Sequence, residues 1–173
     1  MKRSAVLVRS KAKKIRLLLL DVDGVLTDGR IIIDDRGVES KEFHVRDGQG
    51  IALLKRAGID VGFITGRSSK VVRHRAKDLG VTLVYQGVTD KLVCYAAIKR
   101  QRKLTDDQIA YVGDDLLDRP VLLQVGLAIA VADGWPELHA VIDYKTKAWG
   151  GQGAVREVAE LLLKAQGKWL NPA

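Results

Sequence analysis

A chain of 173 residues, 47% apolar and 29% charged, is sized for one soluble domain with a substantial core. A single cysteine, Cys94, excludes an intrachain disulfide framework and a cysteine-rich zinc site, and no apolar run approaches the ~20 residues that span a bilayer. All but one unit of the net charge of +8 belongs to Lys2, Arg3, Arg9, Lys11, Lys13, Lys14 and Arg16, which makes a nucleic-acid-binding fold with a continuous basic stripe a poor description of the body.

Residues 1–14 therefore read as a basic flexible tail, with no specific nucleic-acid partner implied. The apolar segment Leu17-Leu18-Leu19-Leu20 is too short for a signal-peptide core and ends on an acid, so the expectation is a cytoplasmic protein with no membrane contact. That segment has strand length and runs into Asp21-Val22-Asp23-Gly24-Val25-Leu26-Thr27. Side chains at i and i+2 of a strand share a face, so Asp21 and Asp23 leave it together. Two carboxylates so placed repel unless a cation or a proton lies between them.

Next, Arg30-Ile31-Ile32-Ile33 and residues 38–45 flank the turn-forming Asp34-Asp35-Arg36-Gly37, which predicts a β-hairpin directly after the first strand. Its exposed isoleucines suggest either contact with another subunit or a flap over the mouth of the sheet. Asp47 is placed to cap a helix that runs to Arg56 and stops at Gly58. A strand over 60–64 ends on Thr65-Gly66-Arg67, and a helix over 68–79 stops at Gly80. A strand over 81–85 precedes a helix opened by Lys91. Thr105 caps a short turn before a strand over 109–112, which ends on Gly113-Asp114-Asp115. Strands follow at 127–131 and at Val141-Ile142. The last helix, 154–166, carries Val155, Val158, Ala159, Leu162 and Leu163 at helical spacing. Strands alternating with helices predict an α/β fold, a doubly wound parallel sheet over residues 15–168, with 169–173 as a C-terminal tail.

In such a sheet the carboxyl ends of neighbouring strands converge on one crevice. They would bring together Asp21, Asp23, Thr65, Lys91, Asp114, Asp115 and Asp118. Oxygen ligands without histidine or cysteine point to magnesium. A hydroxyl, an ammonium and helix-start N–H groups are donors suited to phosphoryl oxygens. One carboxylate can attack phosphorus while a second moves the protons.

On these four motifs the chain resembles the haloacid dehalogenase (HAD) superfamily of phosphohydrolases. It is most similar to the cap-less 3-deoxy-D-manno-octulosonate 8-phosphate phosphatase family. The further marks are Asp28-Gly29, His44-Val45-Arg46-Asp47-Gly48, Ala130-Val131-Ala132-Asp133, Gly150-Gly151-Gln152-Gly153-Ala154-Val155-Arg156-Glu157 and Ala165-Gln166-Gly167-Lys168. The resemblance implies a Rossmann-like HAD fold without a cap domain, Mg2+ as cofactor and a role in supplying a lipopolysaccharide precursor. It also implies a homotetramer in which a neighbour completes each site.

By position it implies Asp21 as nucleophile and metal ligand, and Asp23 as acid/base and carbonyl ligand. Asp114 would be the third protein ligand, with Asp115 and Asp118 supporting the metal. Thr65 and Lys91 would hold the phosphoryl group, and the His44–Gly48 loop with Gly66, Arg67 and Arg75 would contact substrate. Ala52 and Gln152 depart from that family, which often has basic residues there, so the sugar is less defined than the reaction. A phosphatase of sialic-acid-type 9-phosphates is the enzymatic alternative, and a catalytically silent binding module the non-enzymatic one.

Overall fold

The computed structural model describes residues 2–169. In chain order the elements are α1 (Lys2–Ala12), β1 (Leu17–Leu20), β2 (Ile32–Ile33), β3 (Glu39–Ser40), α2 (Val45–Arg56), β4 (Asp60–Ile64) and α3 (Lys70–Asp78). There follow β5 (Leu83–Tyr85), α4 (Lys91–Arg102), β6 (Ile109–Gly113), α5 (Arg119–Leu122), β7 (Leu127–Ala130), β8 (Tyr144–Lys145) and α6 (Ala154–Ala165).

The four leucines of β1 explain its central place. Leu18 and Leu20 enter one core with residues of α1, α2, α3 and α6, while Leu17 and Leu19 enter the other with residues of α4 and α5. A strand covered on both faces needs an apolar side chain at every position, and all four leucines are fully buried. β1 pairs in parallel with β4 and β6, with Leu20 level with Phe63 and Val112. The sheet order is β5-β4-β1-β6-β7-β8, all neighbours parallel. Chain order runs outward in both directions from β1 and β6, so the switch-point crevice opens at the carboxyl ends of those two strands. The doubly wound sheet expected from the sequence is present, and among the described residues the connection from β1 to α2 carries only the β2–β3 hairpin, not a cap domain.

Three expectations are corrected. The sixth strand lies at Tyr144–Lys145 because Val141 and Ile142 pack against the second core rather than joining β7. The basic segment expected as a loose tail over 1–14 holds a packed helix: Lys2–Ala12 form α1, whose Val8 and Ala12 are buried against α6, and residue 1 lies outside the described residues. Those two residues are spaced i, i+4 and share one face, and the Gln166 amide donates to the Ala12 and Ile15 carbonyls at 3.2 and 2.8 Å. Trp169 of the expected C-terminal tail sits under the charged groups of Arg156 and Lys164, 5.1 and 5.0 Å from its ring centre; residues 170–173 lie outside the described residues. Among the described residues no helix is long and apolar enough to cross a membrane.

The third correction concerns Asp47. The cap of α2 is His44, whose Nδ1 accepts the Arg46 N–H at 3.2 Å. Asp47 is buried and caps α6 instead, accepting from Gly153 N–H at 3.2 Å and Arg156 N–H at 2.7 Å. The N-cap position of α6 is Gly153, which has no side chain to do this itself. Burial pushes the Asp47 carboxyl up in pKa, against the pull of those backbone N–H groups. Asp47→Ala should lower stability by about 1–2 kcal/mol in urea unfolding, the usual cost of a lost cap, and Asp47→Asn by less. An unchanged midpoint for Asp47→Ala would contradict the capping role.

Candidate active site

Asp21 follows β1, Thr65 follows β4 and Asp114 follows β6, so three parallel strand ends deliver three polar side chains to the switch point. Lys91 opens α4, and Asp118 lies on the 3₁₀ turn Leu116–Asp118 after β6. Carboxylate oxygens of Asp21, Asp114 and Asp118 all lie within 4.8 Å of one another. The loop after Asp21 can pass so close only because Gly24 has φ +90° and no side chain. A Cβ there would fall 2.0 Å from Asp114 Oδ2.

Lys91 is the cation of this cluster, with Nζ 2.6 Å from Asp118 Oδ1 and 2.9 Å from Asp21 Oδ2. Asp118 is fully buried and fully partnered. The Tyr111 hydroxyl donates to its Oδ1 at 2.6 Å, and the Asp114 and Asp115 N–H groups donate to its Oδ2 at 3.0 and 3.2 Å. Such a carboxylate orients its neighbours rather than reacting. Burial opposes charge on Lys91, but Asp118 and Asp21 outweigh it and hold the ammonium above its ordinary pKa.

The other two carboxylates are less satisfied. Burial, then the negative charge of Asp118, pushes Asp21 up to about 6, although Lys91 and the Val22 N–H pull it down. Burial and the charges of Asp21 and Asp118 push Asp114 up to about 8. Its buried Oδ1 has no hydrogen-bond partner. With all groups ionised, three carboxylates and one ammonium leave two negative charges uncompensated. A buried, orphaned oxygen in an all-oxygen anionic cluster is the environment a hard divalent cation satisfies, so the residues present fit magnesium.

Asp23 is not part of that cluster. Its carboxylate is held by Lys41, a residue the sequence reading passed over, and Arg67 Nε lies 3.8 Å from its Oδ2. Thr65 is buried at the end of β4, its hydroxyl oxygen 3.4 Å from the Arg67 N–H that donates to it, and Gly66 is exposed beside it. Asp115 is exposed and caps the 3₁₀ turn through Leu116 N–H at 2.7 Å, which makes its support of the cluster indirect. Tyr111 was also missed, hidden by its place in an apolar strand.

The residues expected to touch substrate divide. His44 borders a hollow of about 230 Å³ with Asp28, Gly151 and Gln152. The loop at Gly150 and Gly151 lies directly on the segment after Asp21: the Gly151 N–H donates to the Val25 carbonyl at 2.9 Å, and a Cβ on Gly150 would meet the Gly24 carbonyl at 1.7 Å. The hollow thus lies on the loop that follows Asp21, and none of the clustered carboxylates lines it. Val45 and Arg46 are exposed, while Gly48 is buried under the Arg75 guanidinium, which also lies 5.5 Å from the Phe43 ring centre. Asp47, expected to contact substrate, has its carboxylate buried and committed to its two bonds to α6.

No family model matches the chain. Among curated proteins, 3-deoxy-D-manno-octulosonate 8-phosphate phosphatase KdsC of Escherichia coli is 50% identical over 161 residues, covering 93% of this chain and 86% of that protein. A HAD superfamily (subfamily III A) hydrolase structure from Legionella pneumophila superposes with a TM-score of 0.95 at 47% identity, covering 96% of this chain and 92% of that one. The 3-deoxy-D-manno-octulosonate 8-phosphate phosphatase of Moraxella catarrhalis, solved with magnesium, phosphate and KDO, superposes with a TM-score of 0.92 at 45% identity, covering 94% and 93%. Half of the aligned residues are thus shared with a relative over nearly the whole chain: the chain belongs to the 3-deoxy-D-manno-octulosonate 8-phosphate phosphatase family of the HAD superfamily.

Proposed function

We propose that this chain hydrolyses 3-deoxy-D-manno-octulosonate 8-phosphate to the free sugar acid and phosphate. The observation that carries the reading is the cluster of Asp21, Asp114, Asp118 and Lys91, with its orphaned Asp114 oxygen. The substrate is supported by the likeness to relatives of that name. Supply of a lipopolysaccharide precursor and a cytoplasmic location belong to the same reading.

In the first step an Asp21 oxygen attacks phosphorus, the bond from phosphorus to the sugar oxygen breaks, and its electron pair leaves on that oxygen. Asp23 gives the oxygen its proton. In the second step Asp23 takes a proton from water as it attacks the aspartyl phosphate. The bond to Asp21 breaks, phosphate leaves and the carboxylate returns. Lys91 and the Thr65 hydroxyl hold phosphoryl oxygens, while Arg67, Arg75, His44 and the exposed part of the α2 entry form the sugar-acid side. Magnesium, held by Asp21, Asp114 and the Asp23 carbonyl with Asp115 and Asp118 in support, supplies positive charge against which one anion can approach another.

The hairpin suggests assembly. Ile31, Ile32, Ile33 and Val38 are all exposed, an apolar strip on a two-stranded ribbon too small to be stable by itself. Burying it against other copies in a homotetramer, with a neighbour completing each site, accounts for its composition.

Phosphate release should be magnesium-dependent and fastest on the octulosonate 8-phosphate within a panel that includes a nine-carbon sialic-acid-type 9-phosphate; equal rates on unrelated esters would contradict the substrate assignment. Asp21→Asn should cut the rate by about 10³-fold or more, as loss of a nucleophile does. The raised carboxyl pKa values mean that protons compete with the metal. The rise in Tm on adding magnesium should therefore be larger at pH 8.5 than at pH 6, and a larger rise at pH 6 would contradict the site. Ile32→Asp should shift sedimentation from tetramer to smaller species, and unchanged assembly would remove the hairpin from the interface.

A further inference from the structure

Lys41 stands immediately after β3, on a ribbon whose apolar residues face outward, yet its side chain has 0% exposure. A buried ammonium costs several kcal/mol unless anions meet it. Two do: the Asp23 carboxylate and Glu39 Oε1, the latter at 3.3 Å. Glu39 in turn accepts from Arg67 Nη2 at 3.2 Å, and Arg67 Nε lies 3.8 Å from Asp23 Oδ2. The four side chains close a ring of alternating charge, Asp23–Lys41–Glu39–Arg67. Glu39 and Lys41 can both face inward because they are spaced i, i+2 on the second arm of the hairpin.

Asp23 has little else to fix it. Among the described residues Lys41 is the one hydrogen-bond donor to its carboxylate, in contrast to the four donors on Asp118. A proton donor must stand within ~3 Å of the leaving oxygen, and a displacement of about 1 Å costs on the order of 10²-fold in rate. We propose that Lys41 is a positioning residue: the hairpin inserts it to hold the Asp23 carboxylate where the leaving oxygen departs, with Glu39 and Arg67 holding Lys41 in turn. The proposal rests on the phosphatase reading and adds to the hairpin a catalytic task besides assembly.

Lys41→Met and Glu39→Gln are assayed with magnesium on the octulosonate 8-phosphate and on p-nitrophenyl phosphate, whose phenolate departs without needing a proton. Lys41→Met should lower kcat on the sugar phosphate about 10²-fold, the cost of a misplaced acid, with KM within about threefold. Its loss of kcat/KM on p-nitrophenyl phosphate should be at least tenfold smaller, and Lys41→Arg should recover part of the rate. Glu39→Gln, which loosens Lys41 without touching Asp23, should lower kcat in the same pattern to a smaller extent, and it carries the test if Lys41→Met does not fold. A rise in KM at unchanged kcat would make Lys41 a substrate contact, and equal losses of kcat/KM on both esters would make it merely structural; either overturns the proposal. Wild-type protein inactive on both esters would instead overturn the phosphatase reading.

Discussion

Three carboxylates brought within 4.8 Å of one another, with one lysine among them, set the terms for this molecule. Burial makes each charge expensive, and mutual repulsion makes the group more so. The fold manages one member completely: Asp118 receives four donors and is fixed in place. It leaves Asp21 with fewer donors, Lys91 and the Val22 N–H, and Asp114 with a buried oxygen that accepts no hydrogen bond. Stability is thus withheld at the two positions where a cation and a phosphoryl group would supply it, the arrangement expected of a reactive site rather than of a core.

The sheet exists, in functional terms, to hold that arrangement. β1 lies between β4 and β6 in matched register, so Asp21, Thr65 and Asp114 emerge side by side from rigid strands. Phosphoryl transfer asks the protein mainly for position and electrostatics, and rigid strand ends give both. The hairpin is a separate device, clamped to Asp23 through Lys41 on one arm and carrying exposed isoleucines on the arm paired with it. His44, Gln152 and Gly151 border a hollow on the loop after Asp21, and the proposed function gives substrate selection to that rim.

What the sequence disclosed follows from locality. The strand ends at Asp21, Thr65 and Asp114 were legible because each is an apolar run stopping abruptly at a polar residue. The alternation of elements was enough to make their convergence a consequence of topology. Asp47 was misread because its partners lie more than a hundred positions away on α6, while its spacing imitates a local cap. The charges of α1 concealed the short apolar face of Val8 and Ala12. Lys41 could have been suspected from the inward pair Glu39 and Lys41, but its contact with Asp23 depends on how the hairpin folds back, which no local pattern encodes.

The account turns on Asp21 forming a covalent bond to phosphorus. Acid-quenching the enzyme during turnover of the octulosonate 8-phosphate with magnesium, then reducing with borohydride, would convert an aspartyl phosphate to homoserine detectable by peptide mass. Homoserine at position 21, dependent on substrate and metal, is the predicted result. Rapid phosphate release with no homoserine at that position, or with homoserine at another aspartate, would contradict it.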